Sequence, residues 1–221
     1  MAAQAAYVSH SDAMGKSARH GVGAVFTTHE HPTLPFAWYT DQVPLDLTYV
    51  TADGAVSTLD INLLEAIALL LGFVALVQHI LSLPTPTYAA DCTRPFIHVH
   101  LWCDNTSAMW WLIRNRTRST FHTALYQFFL HLQLLSGVVA TLGHIAGEKN
   151  PIADAVSREF QVKNGSTYRT LLTQPQVQLW PVSLDWLLVM AQQCSAQWKD
   201  TSQSLPVALM LAAKVCSPPS A

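Results

Sequence analysis

The run Leu63–Val77 constrains this chain more than any other feature. It is 15 residues of almost unbroken Leu, Ile, Ala, Val and Phe, with one carboxylate, Glu65, inside it. A helix that is apolar nearly all round must be buried in a protein core or in a bilayer. A membrane-spanning helix needs roughly 18 or more apolar residues. A carboxylate inside such a span adds up to about 2.5–3.5 kcal/mol to the cost of insertion. The run is therefore read as the central helix of a soluble core. Thr58 or Asp60 can cap it and Pro84 can end it, which predicts a helix from Thr58 to about Leu83. Inside such a core, Glu65 is expensive unless it is paired or bound to a cation.

Composition agrees with a large core. Of 221 residues, 50% are hydrophobic and only 12% are charged, where an ordinary domain carries about 25% charged residues. Bulk disorder needs the opposite balance. Twelve basic and fourteen acidic residues give a net charge of −2, so no global basic excess points to nucleic acid. The N-terminal MAAQAAYVSHSD lacks the basic and apolar regions of a secretory signal. Without a signal or a membrane span, the expected location is intracellular, cytoplasmic or nuclear. Cys92, Cys103, Cys194 and Cys216 show no C-x-x-C spacing, so reduced thiols are expected.

Along the chain, Ala5–Ser11, Gly21–Thr28 and Leu34–Thr40 read as three strands of an antiparallel meander. After the central helix, Phe96–Cys103 reads as a buried strand and Thr106–Arg114 as a short helix. A helix over about Thr120–Leu135, a strand over Val138–Leu142 and a loop over His144–Asn150 follow. Pro151 suits the first position of a last short helix that runs to Arg158. This order predicts an α/β fold with a mixed five-stranded sheet flanked by helices. Residues 1–160 form the expected domain. Residues 161–221 form a C-terminal extension, partly helical or flexible, with a helix expected from Ser183 through Leu184, Leu187, Leu188 and Ala191.

In a chain so poor in charge, the placement of acids is informative. Asp12 is expected at the end of the first strand and Asp104 at the end of the fourth, where sites form in α/β sheets. Glu65 lies in the buried helix and Asp154 in the first turn of the last one. Singly, Asp12 suits a turn, Asp104-Asn105 an N-cap and Asp154 a helix N-terminus. Glu65 has no such explanation. Together the four suit hard cations that prefer carboxylate oxygen, Mg²⁺ or Mn²⁺. Two such ions can activate a water and stabilise the leaving oxygen of a phosphodiester.

Four segments carry a family resemblance. They are Ser11-Asp12-Ala13 with Gly21-Val-Gly-Ala24, Ile61-Asn-Leu-Leu-Glu65-Ala-Ile-Ala, Cys103-Asp104-Asn105-Thr-Ser-Ala108, and Gly143-His144-Ile-Ala-Gly147-Glu-Lys-Asn150-Pro-Ile-Ala-Asp154-Ala-Val-Ser-Arg158. In order and spacing they resemble ribonuclease H domains of the retrotransposon and pararetrovirus branch, over about residues 5–160. The last segment is similar to that branch's H-x-P-G-x-x-N-x-x-A-D-x-L-S-R ending, with Ala146 where its members carry Pro. The resemblance implies a ribonuclease H-like fold and cleavage of the RNA strand of an RNA–DNA hybrid with two Mg²⁺ ions, Mn²⁺ being a substitute. It implies that Asp12, Glu65, Asp104 and Asp154 bind the metals. His144 matches the family histidine that assists proton transfer or product release, a task suited to an imidazole of ordinary pKa about 6.5. Asn150 matches a structural loop position. A reverse transcriptase encoded elsewhere in the same element is an implied partner, because no polymerase segment accompanies the domain.

Other clusters carry less. Arg114, Arg116 and Arg118 are three of seven arginines. Together with Lys149, they either contact substrate phosphate or form a solvated connection. Trp110-Trp111 either packs in the core or stacks on a sugar or base. His29/His31 and His98/His100 lack the third and fourth ligands a zinc site needs. Two functions remain open: an active hybrid-cutting nuclease, and a catalytically idle retroelement fragment that folds or binds nucleic acid without cutting. A related nuclease acting on DNA is a third reading, since fold does not fix substrate.

Overall fold

A computed structural model describes residues 6–16, 19–44, 48–50, 54–83, 96–114, 120–158, 168–180, 184, 185, 187 and 189. The N-terminal meander is β1 (Tyr7–Lys16), β2 (Arg19–Thr28) and β3 (Ala37–Val43), all antiparallel. A small ribbon, β4 (Thr48–Val50) with β5 (Val56–Thr58), follows apart from the main sheet. Then come α1 (Ile61–Ser82), β6 (Ile97–Cys103), α2 (Thr106–Arg114), α3 (Thr120–Ser136) and β7 (Val138–His144). A 3₁₀ turn, Gly147–Lys149, leads into α4 (Pro151–Ser157), and α5 (Arg169–Leu172) and β8 (Gln178–Leu179) follow.

The main sheet is ordered β7-β6-β1-β2-β3-β8. It is mixed and flanked by helices, as expected, but it has six strands rather than five. The sixth comes from the extension: β8 pairs parallel to β3, with Gln178 N–H donating to Phe36 O at 2.9 Å and Trp180 N–H to Trp38 O at 2.8 Å. Two residues are too short to show a period-2 pattern, so sequence periodicity could not mark them. Trp180 then stacks on Phe26 and His79, and Leu184 and Leu187 are buried in the main core. The Leu184 N–H is held by Asp41 Oδ2 at 3.1 Å. Leu188 and Ala191 lie outside the described residues, as do 161–167, 181–183, 186, 190 and 192–221.

α1 is 22 residues long, so by length and composition alone it passes for a membrane span. Here 16 of those residues are buried, packed against β1, β2, α2 and α3. Asp60 caps it, accepting the Leu63 N–H at 2.8 Å. Tyr39 Oη ties β3 to its middle by donating to Ala68 O at 2.6 Å. Each fully buried leucine of the helix contributes about 1.5–3 kcal/mol relative to exposure.

α4 covers the opposite face of the meander. A Cβ on Gly21 would stand 2.1 Å from Ser157 O, and one on Gly23 would stand 2.8 Å from Ser157 N. Both positions accept no side chain, because the α4 backbone presses directly on β2. A small second core of Val25, Val156, Leu172 and Val177 seals that face. At the far end of α3, Gly137 takes φ +69° and ends the helix, its N–H donating to Gln133 O at 3.0 Å.

Candidate metal centre

β1 does not stop at Ser11, as the sequence suggested; it runs to Lys16 as half of a ribbon with β2. Its pairing with β6, however, ends at His10↔Trp102. Asp12 therefore stands just past the point where β1 parts from β6, and Asp104 directly follows the end of β6. α1 crosses here and brings Glu65. The three carboxylates each offer an oxygen, and these oxygens lie within 4.8 Å of one another. No other such group of three or more His, Cys, Asp and Glu occurs among the described residues.

Local contacts explain how each acid is aimed. Glu65 is 3% exposed, and its Oε1 accepts the Ala13 N–H at 3.0 Å. Asp12 is 4% exposed, and its Oδ2 accepts the Ser157 hydroxyl at 2.6 Å. The capping role at α2 falls to Asn105, whose Oδ1 accepts the N–H groups of Ser107 and Ala108 at 2.9 and 3.1 Å. That leaves the Asp104 carboxylate free for the cluster. Asn105 Nδ2 also donates to Asn62 Oδ1 at 2.9 Å, joining the first turns of α2 and α1.

Asp154 faces the same cleft, of about 530 Å³, which Asp12, Glu65, Asp104 and Arg158 also line. Its carboxylate is paired with Arg158 one helical turn on, and it is not within the tight group of three. His144 ends β7 instead of opening a loop, and its Nε2 lies 3.1 Å from Asp104 O. Asn150 Nδ2 donates to Ser11 O at 2.9 Å and so ties the start of α4 to β1 beside Asp12. Lys149 is exposed in the 3₁₀ turn. Arg114 is exposed at the far end of α2, about 12 Å along the axis from its first residue, with its guanidinium 4.0 Å from the Trp110 ring centre. Arg116 and Arg118 lie outside the described residues. Trp111 packs against the core and Trp110 faces outward.

Burial and mutual repulsion dominate the electrostatics. Burial pushes the Glu65 carboxyl up to about 9, with the charges of Asp12 and Asp104 adding to it. Burial pushes Asp12 up to about 7; the Ser157 hydrogen bond opposes this, while Asp104 and Asp154 reinforce it. Asp104 is raised too, first by burial. Glu65 Oε2 is buried with no hydrogen-bond partner. An unpartnered carboxylate oxygen among two further carboxylates fits a divalent cation, which would supply the missing partner and reverse the local charge.

Sequence reasoning missed Ser157, Arg158 and the Asn62–Asn105 pair. Arg158 stands four residues after Asp154, the helical spacing at which side chains meet, and that signal was available; Ser157 meets Asp12 across 145 residues, which no local spacing marks.

No family model and no curated protein matches the sequence. Among solved structures, the chain is similar to LC11-RNase H1, solved in complex with an RNA/DNA hybrid. The TM-score is 0.50 at 13% identity, covering 69% of this chain and 94% of that one. It also matches the N-terminal RNase H domain of a Mycobacterium tuberculosis protein (TM-score 0.48, 15% identity, 69% and 91% covered). A third match is RNase H1 from Halobacterium salinarum (TM-score 0.45, 15% identity, 69% and 95% covered). The likeness to LC11-RNase H1, with the mixed sheet flanked by helices, shows that the fold of this chain is the ribonuclease H fold.

Proposed function

We propose that this protein is a metal-dependent endonuclease that hydrolyses the RNA strand of RNA–DNA hybrids and derives from a retroelement polyprotein. The observation that carries the reading is the convergence of Asp12, Glu65 and Asp104, from three separate elements, within 4.8 Å at one end of a ribonuclease H fold. The hybrid bound by LC11-RNase H1 supports the substrate class. The His144–Arg158 segment supports the retroelement origin, and with it a reverse transcriptase supplied from elsewhere in the element as a partner.

Asp12, Glu65, Asp104 and Asp154 would hold Mg²⁺, with Mn²⁺ as a substitute. Ions bound there supply the charge stabilisation that phosphodiester hydrolysis needs. The chain's own contributions are positional. The Ala13 N–H and the Ser157 hydroxyl orient Glu65 and Asp12. His144 is the group beside Asp104 that can carry a proton. Lys149 and the Arg114–Arg118 segment are the proposed phosphate contacts. With so few basic residues, few phosphates can be neutralised, so binding to hybrid is weak.

The test is incubation with a labelled RNA–DNA hybrid and Mg²⁺ beside Asp104→Asn. Cleavage by the parent alone supports the reading. Hybrid left intact by the parent across protein and salt concentrations overturns it and leaves the non-cutting fragment. Cleavage of duplex DNA in place of hybrid moves the substrate to DNA.

A further inference from the structure

Ser157 is the serine of the segment that carries the family resemblance, but the resemblance gives its side chain no role and it is not one of the four acids. In the structure it joins the strand and the helix that carry two of them. It is 1% exposed. Its hydroxyl donates to Asp12 Oδ2 at 2.6 Å and lies 3.0 Å from the Asp154 carbonyl oxygen. Its backbone is the point at which α4 touches β2, where Gly21 and Gly23 leave no Cβ in the way. The residue thus contacts both the strand that carries Asp12 and the helix turn that carries Asp154.

We infer that Ser157 is a positioning residue for the metal centre: its hydroxyl holds the Asp12 carboxylate in one rotamer, at a set separation from the α4 turn that presents Asp154. The inference rests on the metal-dependent reading of the site. A carboxylate on a flexible Cα–Cβ bond must otherwise be ordered when the ion binds, and outer-shell hydrogen bonds that remove this freedom typically account for about 10–100-fold in metal affinity. One oxygen of Asp12 is occupied by the hydroxyl, so the other is left to face the cleft. The contact spans 145 residues of sequence, so no local turn preference produces it.

The experiment compares Mn²⁺ binding, read by electron paramagnetic resonance of the free ion, in the parent, Ser157→Ala, Ser157→Thr and Ser157→Val. Thr and Val have nearly the same size, so any cost of crowding α4 against β2 is common to both, and only Thr keeps the hydroxyl. The expected result is roughly tenfold weaker Mn²⁺ binding for Ala. Thr should bind at least about fivefold more tightly than Val, within the same range. Ala binding within twofold of the parent, or equal affinities for Thr and Val, overturns the inference. Nucleic acid is absent from the measurement, so the two proposals fail separately. A parent that binds Mn²⁺ through Ser157 but cuts no hybrid sinks the nuclease reading alone. A cutting parent with an indifferent Ser157 sinks only this one. A parent that takes up no Mn²⁺ sinks both.

Discussion

Glu65 Oε1 accepts the backbone N–H of Ala13 at 3.0 Å, so the one formally charged residue of α1 is bonded to the strand residue next to Asp12. The bond satisfies one oxygen and turns the other, Oε2, into a buried group with no partner. A residue that costs the metal-free fold free energy is thereby set to face the cleft.

Replacing Glu65 by Gln separates those two consequences. Gln keeps an oxygen for the Ala13 N–H and removes the buried charge. In EDTA at pH 9, Glu65→Gln should melt higher than the parent. Hybrid cleavage in Mg²⁺ should fall by on the order of a thousandfold, since several kcal/mol of charge stabilisation is lost with a ligand. Differential scanning calorimetry and a hybrid cleavage assay read the pair. A variant that melts lower in EDTA would contradict the assigned strain.

The raised carboxyls also set a pH dependence for the metal-free protein. Asp12 titrates at about 7 and Glu65 at about 9 in the fold, against roughly 4 when unfolded. Between those limits the folded state holds more protons than the unfolded one, so stability falls as pH rises. It is highest below about pH 4 for these two groups and levels off above about pH 9. Urea midpoints in EDTA should therefore decline from pH 5.5 to 9, and saturating Mg²⁺ should recover most of the loss. A midpoint that climbs over that range in EDTA rules the argument out.

Gly21→Ala tests the seat of α4. The new methyl would meet the backbone oxygen of Ser157 at 2.1 Å, and neither atom can swing aside as a flexible side chain does, so the helix must move. Overpacking of this kind costs about 1–3 kcal/mol. Activity should drop by more than the stability loss explains, because α4 carries Asp154 and Ser157. Melting and cleavage measured on one preparation decide it; full activity at a lowered melting temperature would detach α4 from the site.

His144→Ala should lower cleavage of hybrid by about 100-fold or more, the usual scale of a lost proton-transfer group. Mn²⁺ affinity should stay near that of the parent, since His144 meets Asp104 through the carbonyl oxygen, not the carboxylate. Affinity lost in parallel with rate would recast His144 as a support of the metal site.

Trp180→Ala should destabilise the domain by about 2–4 kcal/mol, allowing for partial burial. The indole stacks on Phe26 and His79, with ring centres 4.6 and 5.0 Å away, and faces Phe36 edge-on. Chemical denaturation gives the value; a change under about 0.5 kcal/mol, the range of an ordinary surface substitution, would mean that the packing of Trp180 after β8 is not part of the fold's stability.

What could be read beforehand, and what could not, follows from the range of each interaction. Glu65 stood out because a charge in an apolar run has few physical outlets. Asp104 stood out because it follows a buried strand. The meander, the central helix and Pro151 at the start of α4 follow from local patterns of period, glycine and proline. The contacts that aim the acids are not local: Asn150 to Ser11, Ser157 to Asp12 and Asn105 to Asn62 join distant segments through ordinary polar side chains. A serine in a helix has many uses, and nothing in its neighbours announces a partner on another strand. β8 escaped for a related reason, since two residues acquire strand geometry only from the edge they meet.

The order of elements along the chain bears on how α1 survives its own synthesis. Emerging alone, a 22-residue helix this apolar would be a target for aggregation or for membrane insertion machinery. β1, β2 and β3 precede it, so the strands that it packs against have already been synthesised when the helix appears. Tyr39, on the last of those strands, is in place to accept the helix by its Ala68 carbonyl. The ribosome thus delivers the receptor before the hazard, and a circular permutant that began at α1 would reverse that order.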